Sequence, residues 1–319
     1  MPSTPGTVVV LGTGGTIAGT AAHAAQHTGY TAGVLGAEAL VAALPALQGL
    51  PLVAHTLARL DSCNMDGPTW ALLAEQAALH LARPEVAGVV VTHGTDTLEE
   101  TAYFLHRVVA AAKPLVLTAA MRPATALSPD GPQNLFDAVT VARSSGAHSA
   151  HGVLAVLGGV VFAGAELRKV HGYRQDAFSA GDAGPLALLE DGVLRVLRPW
   201  PNVPLHAVAA SLSSLLATRA WPLVDIVTSH ALADGRVVDA LVAAGSRGLV
   251  LAGTGNGSVH AAVKAAAGRA MAQGVRVLRA SRCQLGGVVG GAPDDLPSAG
   301  TLTPVQARIE LMLDLLAAA

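Results

Sequence analysis

Apolar residues in this chain gather in short continuous runs that stop at glycine and polar residues, and helical spacing takes over between the runs. Val8–Leu11, Val86–Thr92 and Leu115–Ala119 are such runs. An apolar stretch of this length, ended by turn residues, reads as a central strand buried on both faces. Asp66-Gly67-Pro68 opens a helix with proline near its first position, and Pro84 closes it after Arg83. Leu98, Thr101, Ala102, Leu105 and Val108 have helical spacing, and Asp130-Gly131-Pro132 starts a further helix through Phe136, Val139 and Val141. This alternation predicts βαβ units with right-handed crossovers and a parallel sheet.

The pattern changes near residue 150. Val153–Leu157 and Val160–Phe162 flank Gly158-Gly159, and Leu186–Leu189 and Val193–Leu197 flank Asp191-Gly192. Asp-Gly between apolar runs is a hairpin signal. A first domain is therefore expected over 1–197, ending in antiparallel additions. Arg198-Pro199-Trp200-Pro201 opens a proline-punctuated linker over 198–212. Alternation resumes in a second domain over 213–319. Its strands are expected at Val224–Ser229, Leu249–Ala252 and Val275–Ala280, and its helices at Arg236–Ala244, Val259–Ala272 and Pro304–Leu316, the last capped by Thr303. The expected fold is two-domain α/β. The larger N-terminal part is a mostly parallel sheet with helices on both faces and an antiparallel hairpin, and the smaller C-terminal part is a parallel α/β domain.

Composition narrows the function classes. Of 319 residues, 51% are hydrophobic and 13% charged, which favours burial over disorder. Aromatics are only 3%, so helix-to-sheet contacts must rely on small side chains. The net charge of −2, without a basic run, argues against nucleic acid as a partner. Two cysteines, Cys63 and Cys283, make no disulfide framework, and scattered histidines without a CxxC pair predict no metal site. The first strand begins without a basic segment and apolar core before it, so a cytoplasmic chain is expected, a periplasmic chain with its leader removed being the alternative. Pro45, Gln48, Pro51 and His55 interrupt the uncharged stretch Ala39–Ala58, which is therefore no membrane span.

Two threonine-bearing loops carry the candidate chemistry. Gly12-Thr13-Gly14-Gly15-Thr16 follows the first strand, and Thr92-His93-Gly94-Thr95-Asp96-Thr97 ends the Val86 strand. Ligands of open α/β sheets bind at such carboxyl ends. The first loop is a poor dinucleotide fingerprint. Ile17 stands where the third glycine is needed, no acid ends a strand about twenty residues on, and the Walker lysine is absent. A threonine hydroxyl becomes a nucleophile when a base takes its proton. Asp96 adjoins Thr95, and Lys169, one of only three lysines with Lys113 and Lys264, follows the Val160–Phe162 strand. Lysine can shift its pKa and exchange a proton, as arginine cannot. His93 reads as a histidine satisfied by backbone hydrogen bonds at a strand end. Thr13, Thr92, Thr97 and Thr101 read as capping and loop residues, and Glu99-Glu100 as acids suited to a helix's first turn.

Thr13-Gly14-Gly15-Thr16-Ile17-Ala18 and His93-Gly94-Thr95-Asp96-Thr97-Leu98-Glu99-Glu100-Thr101 resemble the two signatures of bacterial-type L-asparaginases and glutaminase-asparaginases. Ala120-Met121-Arg122-Pro123, Ser128–Leu135, Gly253-Thr254-Gly255-Asn256-Gly257, Ser281-Arg282 and Gly300–Pro304 fall in the same family order, so the resemblance runs over nearly the whole chain. It implies a homotetramer, a dimer of dimers with sites at subunit interfaces, using no metal or cofactor. It implies hydrolysis of L-asparagine to L-aspartate and ammonia through a threonine nucleophile and an acyl-enzyme, with L-glutamine as a minor substrate. By resemblance, Thr16 matches the nucleophile, Tyr30 the tyrosine that activates it, and Thr95, Asp96 and Lys169 the second polar set. Ser62 resembles the holder of the substrate α-carboxylate, with Asp96 facing the α-ammonium and Asn256 supporting that side. Backbone N–H groups around Gly94 and near Ala120 suit an oxyanion. The sequence leaves open whether Thr16 or Thr95 attacks first.

The chain also departs from the family. Cys63 stands where many members have Gln or Glu, and Gln284–Gly291 contains no acid where well-known members carry one, Asp294-Asp295 lying further on. Two lost polar anchors predict weaker asparagine binding, on the order of 1–3 kcal/mol per charged hydrogen bond. Two other readings compete. An ammonia-supplying subunit of a tRNA-amidating enzyme shares the fold but expects a domain before the first strand. A non-catalytic amino-acid binder would lack the nucleophile or the lysine, whereas Thr16, Tyr30, Thr95, Asp96 and Lys169 are all present.

Overall fold

The computed structural model describes residues 6–26, 28–144, 150–201, 205–207, 209, 212, 220–291 and 296–318. Asp294, Asp295 and much of the expected 198–212 linker lie outside them. The chain divides into two compact units, Met1–Leu205 and His206–Ala319.

The N-terminal unit contains, in order, β1 (Thr7–Gly14), α1 (Ala37–Ala42), β2 (Leu52–Leu60), α2 (Gly67–Leu81), β3 (Val86–Thr92), α3 (Leu98–Val108) and β4 (Pro114–Thr118). There follow α4 (Gly131–Ala142), β5 (Gly152–Leu157), β6 (Val160–Ala163), β7 (Arg168–Lys169), β8 (Phe178–Ser179), β9 (Ala187–Glu190) and β10 (Val193–Val196). Among the described residues one sheet has the strand order β10-β9-β6-β5-β4-β3-β1-β2, and β7 pairs with β8 apart from it. The pairs from β2 through β5 are parallel, and those from β5 to β10 antiparallel.

The central strands are buried on both faces, as their unbroken apolar runs require. Val8, Val10, Val90, Val116, Leu154 and Val156 pack with Leu135, Ala138, Val139 and Ala142 of α4 and with Ala37 of α1. Successive strand residues point to opposite faces, and the alternate set Val9, Leu11, Val89, Val91, Leu115 and Leu117 is equally buried. On that side α2 and α3 carry Trp70 and Phe104, whose rings stack at 4.9 Å. Asp66 caps α2 by accepting the Thr69 N–H at 2.8 Å. The hairpin between β9 and β10 turns at Asp191 and Gly192, with φ of 50° and 73°. Two successive left-handed residues are what a tight hairpin turn demands, and Asp-Gly supplies them.

The stretch Ala39–Ala58 is shared between α1, a short turn at Pro45–Leu47 and β2. β2 carries no unbroken apolar run because it forms the sheet edge, where several of its side chains face solvent. Among the described residues no helix is long and apolar enough to cross a membrane.

The C-terminal unit runs β11 (Val224–Thr228), α5 (Arg236–Ala243), β12 (Gly248–Gly253), α6 (Ala261–Ala272), β13 (Arg276–Ser281) and α7 (Pro304–Ala318). The three strands are parallel in the order β11-β12-β13. Val238 of α5 and Val263, Ala266, Ala267 and Ala270 of α6 cover one face, and Ala307, Leu311, Met312 and Leu315 of α7 cover the other. Alanines at four helix positions against the strands match an aromatic-poor chain. α7 begins with a reciprocal cap. Gln306 N–H donates to Thr303 Oγ1 at 3.3 Å, and Thr303 N–H to Gln306 Oε1 at 3.1 Å.

Candidate active site

Strand order places the site. From β1 the chain moves to β2 on one side, and from β3 it moves to β4 on the other. The loops leaving the carboxyl ends of β1 and β3 therefore part in opposite directions and open a crevice, the position where open α/β sheets bind ligands. Thr16 lies on the first loop and Thr95 on the second.

The two loops touch through glycines. Gly15 has φ 81° and ψ −174°, a conformation open essentially to glycine alone. A side chain there would fall on the backbone of Gly94, and one on Gly94 would fall on Ser62 Oγ. Thr13 Oγ1 donates to the Thr92 carbonyl at 3.1 Å and ties the loops at their base.

Thr16, buried, opens a single tight turn through Ala18, and Ala120 packs beneath Ile17 and Ala18. Thr16 Oγ1 lies 2.5 Å from Tyr30 Oη. Thr20 and Thr31 exchange backbone hydrogen bonds of 2.9 Å, which close the loop that carries Tyr30. Burial pushes the Tyr30 phenol up, the Thr16 hydrogen bond opposes this, and the charges of Asp61 and Asp96 add to the rise. The tyrosine is thus a neutral phenol at neutral pH and not a phenolate base.

Lys169 stands opposite. Its Nζ donates to Thr95 Oγ1 at 3.1 Å and to Asp96 Oδ1 at 2.6 Å. The Asp96 side chain is 52% exposed, and half-exposed ion pairs are worth about 0–1 kcal/mol. This pair therefore orients the ammonium on Thr95 and contributes little to stability. Asp96 N–H donates to Ser62 Oγ at 3.1 Å, and Thr97 Oγ1 donates to the Ser62 carbonyl at 2.8 Å.

His93 is fully buried. Nδ1 lies 2.7 Å from the Gly94 carbonyl, Nε2 lies 3.0 Å from Thr101 Oγ1, and Trp70 Nε1–H donates to that hydroxyl at 2.9 Å. Burial lowers its pKa to about 4, although the Gly94 carbonyl acts in the opposite direction. His93 is a neutral brace under the Gly94–Thr95 turn.

Two supports gave no sequence signal beyond their helix positions. Glu99 accepts the Lys169 backbone N–H at 2.6 Å. The acids Glu99-Glu100 were expected to serve the α3 dipole, yet Glu99 also fixes the strand that delivers Lys169. Burial raises its carboxyl pKa, and the Lys169 N–H restrains the rise. Asp130 precedes α4 but turns its carboxylate back, accepting the Met121 and Arg122 N–H groups at 2.9 Å each. Asn134 Nδ2–H donates to the Ala119 carbonyl at 2.9 Å, so Ala120 is held from both sides.

The N-terminal unit is matched over residues 7–202 by the family model "Asparaginase, N-terminal", and 223–318 by "Glutaminase/Asparaginase C-terminal domain". The chain belongs to the asparaginase family. Among asparaginase relatives, L-asparaginase 2 of Bacillus subtilis is 37% identical over 313 residues, 96% of this chain and 81% of that protein. The glutaminase-asparaginase of Pseudomonas fluorescens is 35% identical over 317 residues, 97% of this chain and 86% of its own length. The crystal structure of a probable cytoplasmic L-asparaginase from Campylobacter jejuni superposes with a TM-score of 0.89 at 35% identity, covering 97% of this chain and 95% of the other.

Within this asparaginase chain, Thr16, Tyr30, Ser62, Gly94, Thr95, Asp96 and Lys169 meet at the crevice between β1 and β3. Cys63 is exposed beside them. Asn256 belongs to the C-terminal unit. Its side-chain amide is engaged with Val289, donating to the carbonyl and accepting the N–H, both at 2.7 Å.

Proposed function

We propose that this chain hydrolyses the side-chain amide of L-asparagine to L-aspartate and ammonia, with L-glutamine as a minor substrate. One observation carries the reading: two separately supported threonine hydroxyls, Thr16 on Tyr30 and Thr95 on Lys169, stand on loops that touch at Gly15 and Gly94. The names of the relatives agree with it.

Thr16 is assigned the first attack because its hydroxyl contacts a group that both accepts and donates a proton. Thr16 Oγ1 adds to the amide carbon, its proton moves to Tyr30 Oη, and the phenol's own proton passes to the amide nitrogen. The C–N bond breaks, ammonia leaves, and an ester to Thr16 remains. A neutral phenol suits this relay, since it never has to hold a net charge. Asp96 N–H is taken by Ser62, so the Gly94 and Thr95 N–H groups are the turn's donors to the oxyanion. A water hydrogen-bonded to Thr95 then adds to the ester carbon, and its proton returns to Thr16 Oγ1 through Tyr30. Lys169, ion-paired with Asp96, holds the Thr95 hydroxyl for that step. Ser62 takes the substrate α-carboxylate.

A homotetramer, a cytoplasmic location and the domain division at 1–197, 198–212 and 213–319 belong to the same reading. Ammonia release from L-asparagine and L-glutamine tests it. Turnover should fall by roughly 10³-fold or more in Thr16→Ala and in Lys169→Met. Thr95→Val should accumulate an ester on Thr16, visible by intact mass. Undiminished turnover in Thr16→Ala would refute the assignment.

A further inference from the structure

The reactive hydroxyls stand beside a negative patch that the mechanism above does not use in full. A carboxylate oxygen of Asp61, Cys63 Sγ and a carboxylate oxygen of Asp96 all lie within 4.8 Å of one another, and all three residues are exposed. Asp61 immediately precedes Ser62. Cys63 Sγ stands beside both carboxylates. Asp61, Asp96 and Cys63 all act electrostatically on the Tyr30 hydroxyl, so the patch borders Thr16.

The charges decide what the patch can hold. Asp96 gives one oxygen to Lys169 at 2.6 Å, and that pair is neutral as a unit. Asp61 adds a second carboxylate, so the three groups together carry one net negative charge facing the crevice. A single ammonium balances it. An ammonium has three N–H donors, and the free oxygens of two converging carboxylates satisfy them better than Asp96 alone. The Cys63 thiol, a neutral neighbour of both carboxylates, leaves that charge in place. Desolvation, then the charges of Asp61 and Asp96, push this thiol up; because the residue is exposed, the two carboxylates are the cause its surroundings support. A protonated thiol has little nucleophilic character.

The geometry points to Asp61 as a second carboxylate for the substrate α-ammonium, acting with Asp96. This rests on the asparagine amidohydrolase reading and names the residue that selects a free α-amino group. The acid-free segment Gln284–Gly291 is then no loss.

The test compares ligands that differ only in the ammonium. L-Aspartate and succinate are titrated calorimetrically into wild type, Asp61→Asn and Asp61→Glu, and the KM for L-asparagine is measured in parallel. Asp61→Asn is expected to weaken L-aspartate by roughly 10- to 100-fold, as for a lost charged hydrogen bond, and to leave succinate unchanged. The KM for asparagine should rise more than kcat falls, and Asp61→Glu should recover part of the affinity. Equal weakening of both ligands, or none of either, overturns the inference. Because binding is read without turnover, a wild type that releases no ammonia yet binds L-aspartate through Asp61 would sink the proposed reaction and leave this inference standing.

Discussion

Acid should destabilise this protein through His93, by an amount the structure sets. The ring has no exposed surface, one nitrogen contacts the Gly94 carbonyl, and the other contacts the Thr101 hydroxyl. That hydroxyl already accepts from Trp70, so its own proton points at the imidazole and leaves no acceptor for a second ring proton. The folded pKa is about 4, against 6.5 for an unperturbed histidine. Between these values the unfolded chain binds a proton that the folded chain refuses. The stability is therefore complete above about pH 6.5 and is lost progressively as the pH falls toward 4. At roughly 1.4 kcal/mol per pH unit, the loss reaches about 3 kcal/mol. Urea unfolding at fixed protein concentration, from about pH 7.5 to about pH 4.5, measures it. His93→Gln keeps polar contacts but cannot titrate. It should be less stable at neutral pH and should lack this component of the pH dependence, so the two curves converge in acid. Parallel curves for the two proteins would refute the argument.

Gly15→Ala should destabilise the fold by roughly 1–3 kcal/mol, the usual cost of a strained backbone conformation. It should lower ammonia release by about 10²-fold, because an added methyl wedges the Gly15 and Gly94 loops apart and misplaces the reacting groups; urea unfolding and steady-state kinetics together check this. Glu99→Ala should cut kcat by about 10-fold or more, since the Lys169 backbone loses its anchor, while Glu99→Gln, which still offers an oxygen to that N–H, restores most of it; equal losses in both variants would show that the charge and not the hydrogen bond matters.

The sequence was most legible where burial is complete. β1, β3, β4 and β12 lie under helices on both faces, so their residues are nearly all apolar, and glycine marks the ends of β1, β3 and β12. Asp191-Gly192 was legible because its backbone angles exclude most other residues. β2 was not, since an edge strand with one solvated side lacks the unbroken run. β7 and β8 are two residues each and leave no periodicity, although β7 delivers Lys169. Thr16, Thr95 and Asp96 stood out as candidates because they sit at strand ends in glycine-rich loops. Glu99 and Asp130 were recognisable only as helix-start acids, because a carboxylate in a first turn looks the same whether it serves the helix or reaches across to another loop. Asp61 gave no signal at all: its part depends on the approach of Asp96, 35 positions away, and sequence does not report that distance.

The tie between Thr13 Oγ1 and the Thr92 carbonyl spans 79 positions of chain. Neither threonine loop can be in place until β1 has docked beside β3, and that docking must bring in the whole α1, β2 and α2 segment between them. Loop closure on this scale is among the slower events of folding. In a refolding reaction, helix signal should therefore return before ammonia release does. Catalysis becomes a clock for the sheet's central seam, and a nascent chain on the ribosome stays inert until Lys169, well beyond the strand ending at Thr92, has also emerged and reached Thr95.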